Sequence, residues 1–202
     1  MRKQPVVLAL IAITVGVSLI AAMSDPFANA VALVPHDVFR GEVWRLVTWA
    51  FLQWGPIGLL LVSITLYKFG GDLLDAWGRR RFTRFVAMIV LVSGVGSCLL
   101  ALPIPNAEWY PLHGGYAIAD ALTIAWALQF PDRCVIVFRM MPVAGNQLAY
   151  GTLAVTLMFV LYWGLTPFAP DLVAGLAALA YMKRPWDRLT PTPVTPPSPW
   201  AN

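Results

Sequence analysis

A chain of 202 residues with 59% hydrophobic and only 12% charged side chains, at a mean hydropathy of +0.70, is too apolar for a soluble domain and reads as a single membrane-embedded unit. Its net charge of +4 comes without a basic run interleaved with aromatics, so no nucleic-acid partner is expected. The cysteines are Cys98 and Cys134 and the histidines His36 and His113, which excludes a disulfide framework and any HxxxH or HExxH set; no metal and no cofactor is expected.

In chain order, Met1, Arg2 and Lys3 precede an apolar run over 5–22 that is long enough to span a bilayer. A leader reading stays open beside it, because Ala28, Asn29 and Ala30 form a small-x-small cleavage pattern. Further apolar runs lie at about 54–69, 85–104, 114–130, 146–166 and 168–182, which makes six candidate spans. Lys and Arg settle the orientation, because they collect on the side that is not translocated. Arg2 and Lys3, then Lys68, Arg79, Arg80, Arg81 and Arg84, then Arg133 and Arg139, and finally Lys183, Arg184 and Arg188 fall on one side, and Arg40 and Arg45 on the other. The expectation is therefore an all-α membrane protein of six transmembrane helices with both termini cytoplasmic. The basic residues report topology and require no acidic ligand.

Residues 24–53 form the longest outer segment, in which Asp25, Asp37, Arg40, Glu42 and Arg45 mix with Trp44, Trp49 and Phe51; short helices lying in the headgroup region suit such a mixture. Residues 1–184 make the membrane domain. The proline-rich stretch 185–202 reads as a disordered cytoplasmic tail. The short first span, with no long targeting peptide before it, fits a bacterial inner (plasma) membrane.

The stretch from His113 to Pro131 stands out because Asp120 sits inside an apolar, helix-length run. A carboxylate there costs about 3 kcal/mol or more unless it is protonated, paired or wet. Helical spacing places His113, Tyr116, Asp120 and Thr123 on one face. Two readings of Asp120 follow: a functional group, or a hydrogen-bonded strut between helices.

The order of motifs resembles the rhomboid superfamily of intramembrane serine proteases and their inactive relatives, including derlins. Gly41 to Phe51, GEVWRLVTWAF, is similar to the WR motif of that family's first outer loop. Phe69 to Phe82, FGGDLLDAWGRRRF, is similar to the end of its second helix and the loop that follows, and Gly114 to Pro131, GGYAIADALTIAWALQFP, to its GxSG helix. The resemblance covers roughly 41–184 and implies a six-helix core with cytoplasmic termini. It also implies lost chemistry, because Tyr116 stands at the serine position, Asp171 at the base histidine, and Gly58 and Val62 at the His and Asn that help bind the oxyanion. Gly114 is kept, Ala117 replaces the second glycine, and Ala174 and Ala178 keep the small-residue spacing of the last helix.

Chemistry agrees independently. A serine nucleophile needs a base within hydrogen-bond reach and donors where the oxyanion forms. Ser18, Ser63, Ser93 and Ser97 lie in apolar runs, none in a GxSG setting, and tyrosine is a poor acyl acceptor at an ordinary pKa near 10. The bulk of Tyr116 can plug the site, with its hydroxyl bonded to Asp120 one turn below.

The reading that results is a pseudoprotease-like protein without catalytic residues. It binds transmembrane helices of other membrane proteins, or serves as a subunit of a larger membrane complex, with the lipid bilayer and those helices as its partners. The binding residues expected are His113, Tyr116, Asp120, Asp171, Trp44 and Arg45. The alternative is a rhomboid-type protease with a non-standard site that uses His113 with Ser63 or Ser97. A proton path through Asp120 and His113 ranks third.

Overall fold

Proline placement and apolar runs set the helix starts. In the computed structural model, which describes residues 4–137 and 141–183, α1 (Pro5–Met23), α3 (Pro35–Phe39) and α5 (Pro56–Thr65) each carry proline in the first turn, where no amide is needed. Ser24 ends α1 and caps α2 (Asp25–Val31), its hydroxyl accepting the Phe27 N–H at 3.5 Å. A short α4 (Arg45–Thr48) continues into a 3-10 turn, Trp49–Phe51, so residues 24–53 do form short helices.

α5 continues through a wide π turn, Leu66–Gly70, into α6 (Gly71–Ala101). The resemblance implied a helix end and a following loop within 69–82; there the helix continues to Trp77, and the chain reverses at Gly78 with helix on both flanks. Its φ of 75° with ψ of 164° is open to glycine at little cost, which is why a single residue suffices. Then follow α7 (Gly115–Gln129), α8 (Gly145–Trp163) and α9 (Leu165–Met182). The chain is helical as expected, with one short hairpin between α7 and α8: β1 (Cys134–Val137) pairs antiparallel with β2 (Met141–Ala144), Cys134 opposite Ala144. A β-branched run between Pro131 and Gly145 is too short for a packed helix and satisfies its backbone across a ladder.

Contacts at the helix ends fix the direction of each arm. Gln4, ahead of α1, donates to the Gly71 carbonyl at 3.2 Å and to Asp75 at 3.1 Å. Ser18, near the other end, donates to the Phe51 carbonyl and accepts the Gln53 N–H. The arm over 56–77 thus runs antiparallel to α1. Beyond Gly78, Phe82 packs beside Gly70, and Gly94 lies against Trp49 and Leu46, so 79–101 runs back. α7 starts under Trp49 and ends where Trp126 donates to Asp72 at 2.8 Å and Trp77 donates to Gln129 at 2.9 Å. α8 begins against the carbonyls of Ala127 and Phe130, and α9 ends with Tyr181 on Phe85. Six helical arms alternate in direction among the described residues. Lys68, Arg79, Arg80, Arg81, Arg84, Arg133 and Lys183 gather at the Gly78 end, and Arg40 and Arg45 at the other.

Three stretches, Pro5–Met23, Pro56–Ala101 and Leu165–Met182, are long and apolar enough to cross a membrane, and Gln147–Trp163 is a shorter apolar helix. α7, with 15 residues, covers roughly 22 Å at 1.5 Å per residue, less than the ~30 Å hydrocarbon core. It lies inside the bundle: from Ala117 to Ala127 every residue except Asp120 is buried. The tail expected over 185–202 lies outside the described residues, as do Arg2, Lys3, Arg139, Arg184 and Arg188.

Within residues 24–53, Arg45 makes the largest set of ties. Arg45 is 7% exposed. It pairs with Glu42 at 2.6 Å and Asp37 at 3.1 Å, and donates to the carbonyls of Ala32, at 2.8 Å, and Asn29. Asn29 and Ala28, two of the three residues of the leader pattern, are folded into the same unit, with Ala28 buried. Arg45→Met leaves two carboxylates and two carbonyls without their donor and is expected to lower stability by about 3 kcal/mol, read as a lower thermal midpoint in detergent. Arg45→Lys recovers only part of this, because one ammonium cannot reproduce the guanidinium fork.

Candidate functional site

The start of α7 is built on missing side chains. A Cβ at Gly114 would collide with the Trp49 ring and the Ala50 backbone, and one at Gly115 with the Gln53 side chain, so the helix begins directly beneath the outer turn. Gly114 also donates its N–H to the Trp49 carbonyl at 3.0 Å. Tyr116, the first large residue, is 44% exposed, and its ring reaches across to α5. A Cβ on Gly58 would meet the Tyr116 hydroxyl at 2.6 Å and the Gln53 amide nitrogen at 2.5 Å. The bulk at 116 and the absence of a side chain at 58 are therefore one feature.

One turn along α7, Asp120 accepts the Thr156 hydroxyl of α8 at 3.2 Å. Asp171 enters from α9, where Pro170 supplies no amide to the helix ladder. It is 7% exposed, its Oδ1 is buried without a hydrogen-bond partner among the described residues, and it lines the same cleft as Asp120. Small residues allow this approach: Ala117, Ala121 and Ala125 of α7 and Ala174 and Ala178 of α9 are all buried.

Tyr116, Asp120 and Asp171 line one cleft of about 740 Å³. Leu61 of α5 stands on one side. Gln147, Gly151, Thr152, Val155, Thr156 and Phe159 of α8 form the other, with Phe168 of α9 behind. α5 packs on α1 and α7, and α8 on α7 and α9, so the cleft opens sideways between α5 and α8.

The other expected residues fall elsewhere. His113 precedes the helix, so helical spacing does not hold it on the Asp120 face; it meets Trp54 edge-on at 5.2 Å and does not line the cleft. Thr123 is buried and donates to the Ala119 carbonyl at 2.8 Å. Asp120 takes Thr156 where a bond from Tyr116 was expected, because the tyrosine ring swings out over Gly58. Arg45 is occupied within the outer segment, and Trp44 donates to the Ala30 carbonyl with its ring exposed. Sequence reasoning missed Gly151 and Thr156; the signal was a small and a hydroxyl residue on an apolar helix that the resemblance did not single out. Ser63 donates to the Leu59 carbonyl at 2.7 Å and lines a different groove beside Gln4 and Lys68. Ser97 donates to the Ser93 carbonyl at 2.7 Å.

A bundle of apolar helical arms with a carboxyl-bearing lateral cleft defines an integral membrane protein. The chain belongs to the family described as "Eukaryotic integral membrane protein (DUF1751)", whose pattern matches residues 6–183. No curated protein matches it. The family's description overturns the bacterial inner membrane expected from the first span. A helix of 19 residues is roughly 28 Å long, and bilayers of many origins accept that length, so span length carries no information about the organism.

Two outcomes test this geometry. Gly58→Val is expected to cost about 1–3 kcal/mol by overpacking, and Tyr116→Ala in the same chain to recover most of it; a double-mutant cycle in detergent checks the coupling. His113 lies ahead of α7, and burial lowers its imidazole to about 4 from an ordinary 6.5. The unfolded chain then takes up a proton that the folded one refuses, so stability is full above pH 6.5 and falls between 6.5 and 4. Thermal midpoints across that window should drop for the parent and stay flatter for His113→Gln.

Proposed function

We propose that this chain is a rhomboid-like membrane protein of six spans with both termini cytoplasmic, without protease activity, that receives transmembrane segments of other membrane proteins in the cleft between α5 and α8. The basic residues gathered at the Gly78 end favour the cytoplasmic side for that end. The observation that carries the reading is the composition of the cleft. Where the resemblance would place a serine and a histidine stand Tyr116 and Asp171, and the cleft is walled by apolar side chains and open to the side. No serine among the described residues lines it, and the hydroxyls of Ser63 and Ser97 are bonded to carbonyls of their own helices. Such a cleft offers shape and polar contacts to a helix and holds neither the serine nor the histidine that the resemblance would call on for acyl transfer. Service as a subunit of a larger complex uses the same contact made permanent.

Photo-crosslinking from Val155, on the cleft, and from Leu91, on the groove between α1 and α6, separates the possibilities in native membranes. Protein adducts are expected from Val155, lost when Gly151→Trp fills the cleft, and none from Leu91. Lipid adducts alone from both positions would refute the segment-binding role. A serine-reactive fluorophosphonate is expected to leave Ser63 and Ser97 unlabelled; labelling abolished by His113→Ala would establish the protease alternative.

A further inference from the structure

We infer that the cleft selects its occupant by charge: a partner membrane helix bearing one lysine or arginine near mid-span, seated against Asp120 and Asp171. The inference deepens the segment-binding reading and rests on it. Asp171 is 7% exposed with its Oδ1 unpartnered, and it lines the cleft with Asp120. Two carboxyl groups in apolar surroundings call for a counter-charge, and among the described residues no Lys, Arg or His lines this cleft to supply one. Thr156 donates one hydroxyl to Asp120; the remaining lining is apolar or uncharged.

Shape decides between a helix and a small cation. Along α8 the lining runs from Gln147 to Phe159, roughly 18 Å at 1.5 Å per residue, or about three helical turns. Midway, a side chain at Gly151 would meet open space, so a neighbouring backbone can approach closely there. Leu61, Val155 and Phe168 give the partner's apolar faces a dry wall, and a long basic side chain can extend its stem along such a wall to reach the carboxyl pair. A second copy of this chain is the poorer occupant. Its described basic residues gather at the two ends of the bundle and cannot be brought to mid-span.

The test uses the full chain in phosphatidylcholine nanodiscs and fluorescent single-span Leu/Ala peptides. One peptide carries lysine at its centre, one carries leucine there, and one carries the lysine two turns away. The central-lysine peptide is expected to bind about tenfold tighter than the leucine peptide, within the range of interhelical polar contacts. Asp120→Asn and Asp171→Asn should each remove most of that preference. The lysine-position series on the unaltered chain decides the matter even where a variant fails to fold: preference for the central position supports the inference, and indifference to position overturns it. Equal binding of lysine and leucine peptides sinks the charge selection and leaves segment binding standing. Failure of every peptide to bind overturns both.

Discussion

Everything in this bundle is arranged around a helix that is too short to cross a bilayer. α7 has 15 residues and is walled in by α5, α6, α8 and α9, so it can carry residues that a lipid-facing helix of that length could not. The outer segment must descend to meet its N-terminus, and it does so through Trp49, Ala50 and Gln53, against which Gly114 and Gly115 fit only because they lack side chains. Arg45 holds that descending segment in place by binding two carboxylates and two carbonyls. The position of the cleft is thus set from above by the outer segment and from the sides by helix packing.

The same packing creates an electrostatic tension. Alanines along α7 and α9 bring the two backbones close, and closeness places Asp120 and Asp171 on one cleft. Hydrophobic packing around them stabilises the bundle, whereas each carboxyl group in apolar surroundings opposes it by a few kcal/mol. One hydroxyl, from Thr156, offsets part of that cost. On the same cleft the Tyr116 ring lies over Gly58, where any added side chain would meet its hydroxyl.

Much of this is readable in the residues themselves. The apolar runs fall on helices, the run over 114–130 nearly matches α7, and the mixed polar and aromatic stretch over 24–53 becomes short helices. What escapes is long-range or hinges on one dihedral angle. Nothing local distinguishes Gly78 from the other glycines, yet its positive φ replaces an expected loop with a one-residue reversal. Spacing put His113 on the Asp120 face, and the late start of α7 at Gly115 undoes that. Asp171 could be matched to a motif position, but its nearness to Asp120 depends on how α9 lies on α7. Thr156 and Gly151 were invisible for the same reason: a residue on an apolar helix acquires a role only when its neighbour is known.

α8 turns most of its surface outward. Gly145, Ala149 and Thr156 are its buried described positions, whereas Tyr150, Leu157, Met158, Leu161, Tyr162 and Trp163 are exposed. Gly164, at φ 94°, joins it to α9. On the segment-binding reading, this outward face is the side of the cleft that can yield to helices of different girth while the buried core stays in place. Arrival on that reading is then similar for many helices, and the dwell time of each, set by how well it fits the cleft and meets the carboxyl pair, is what separates one from another.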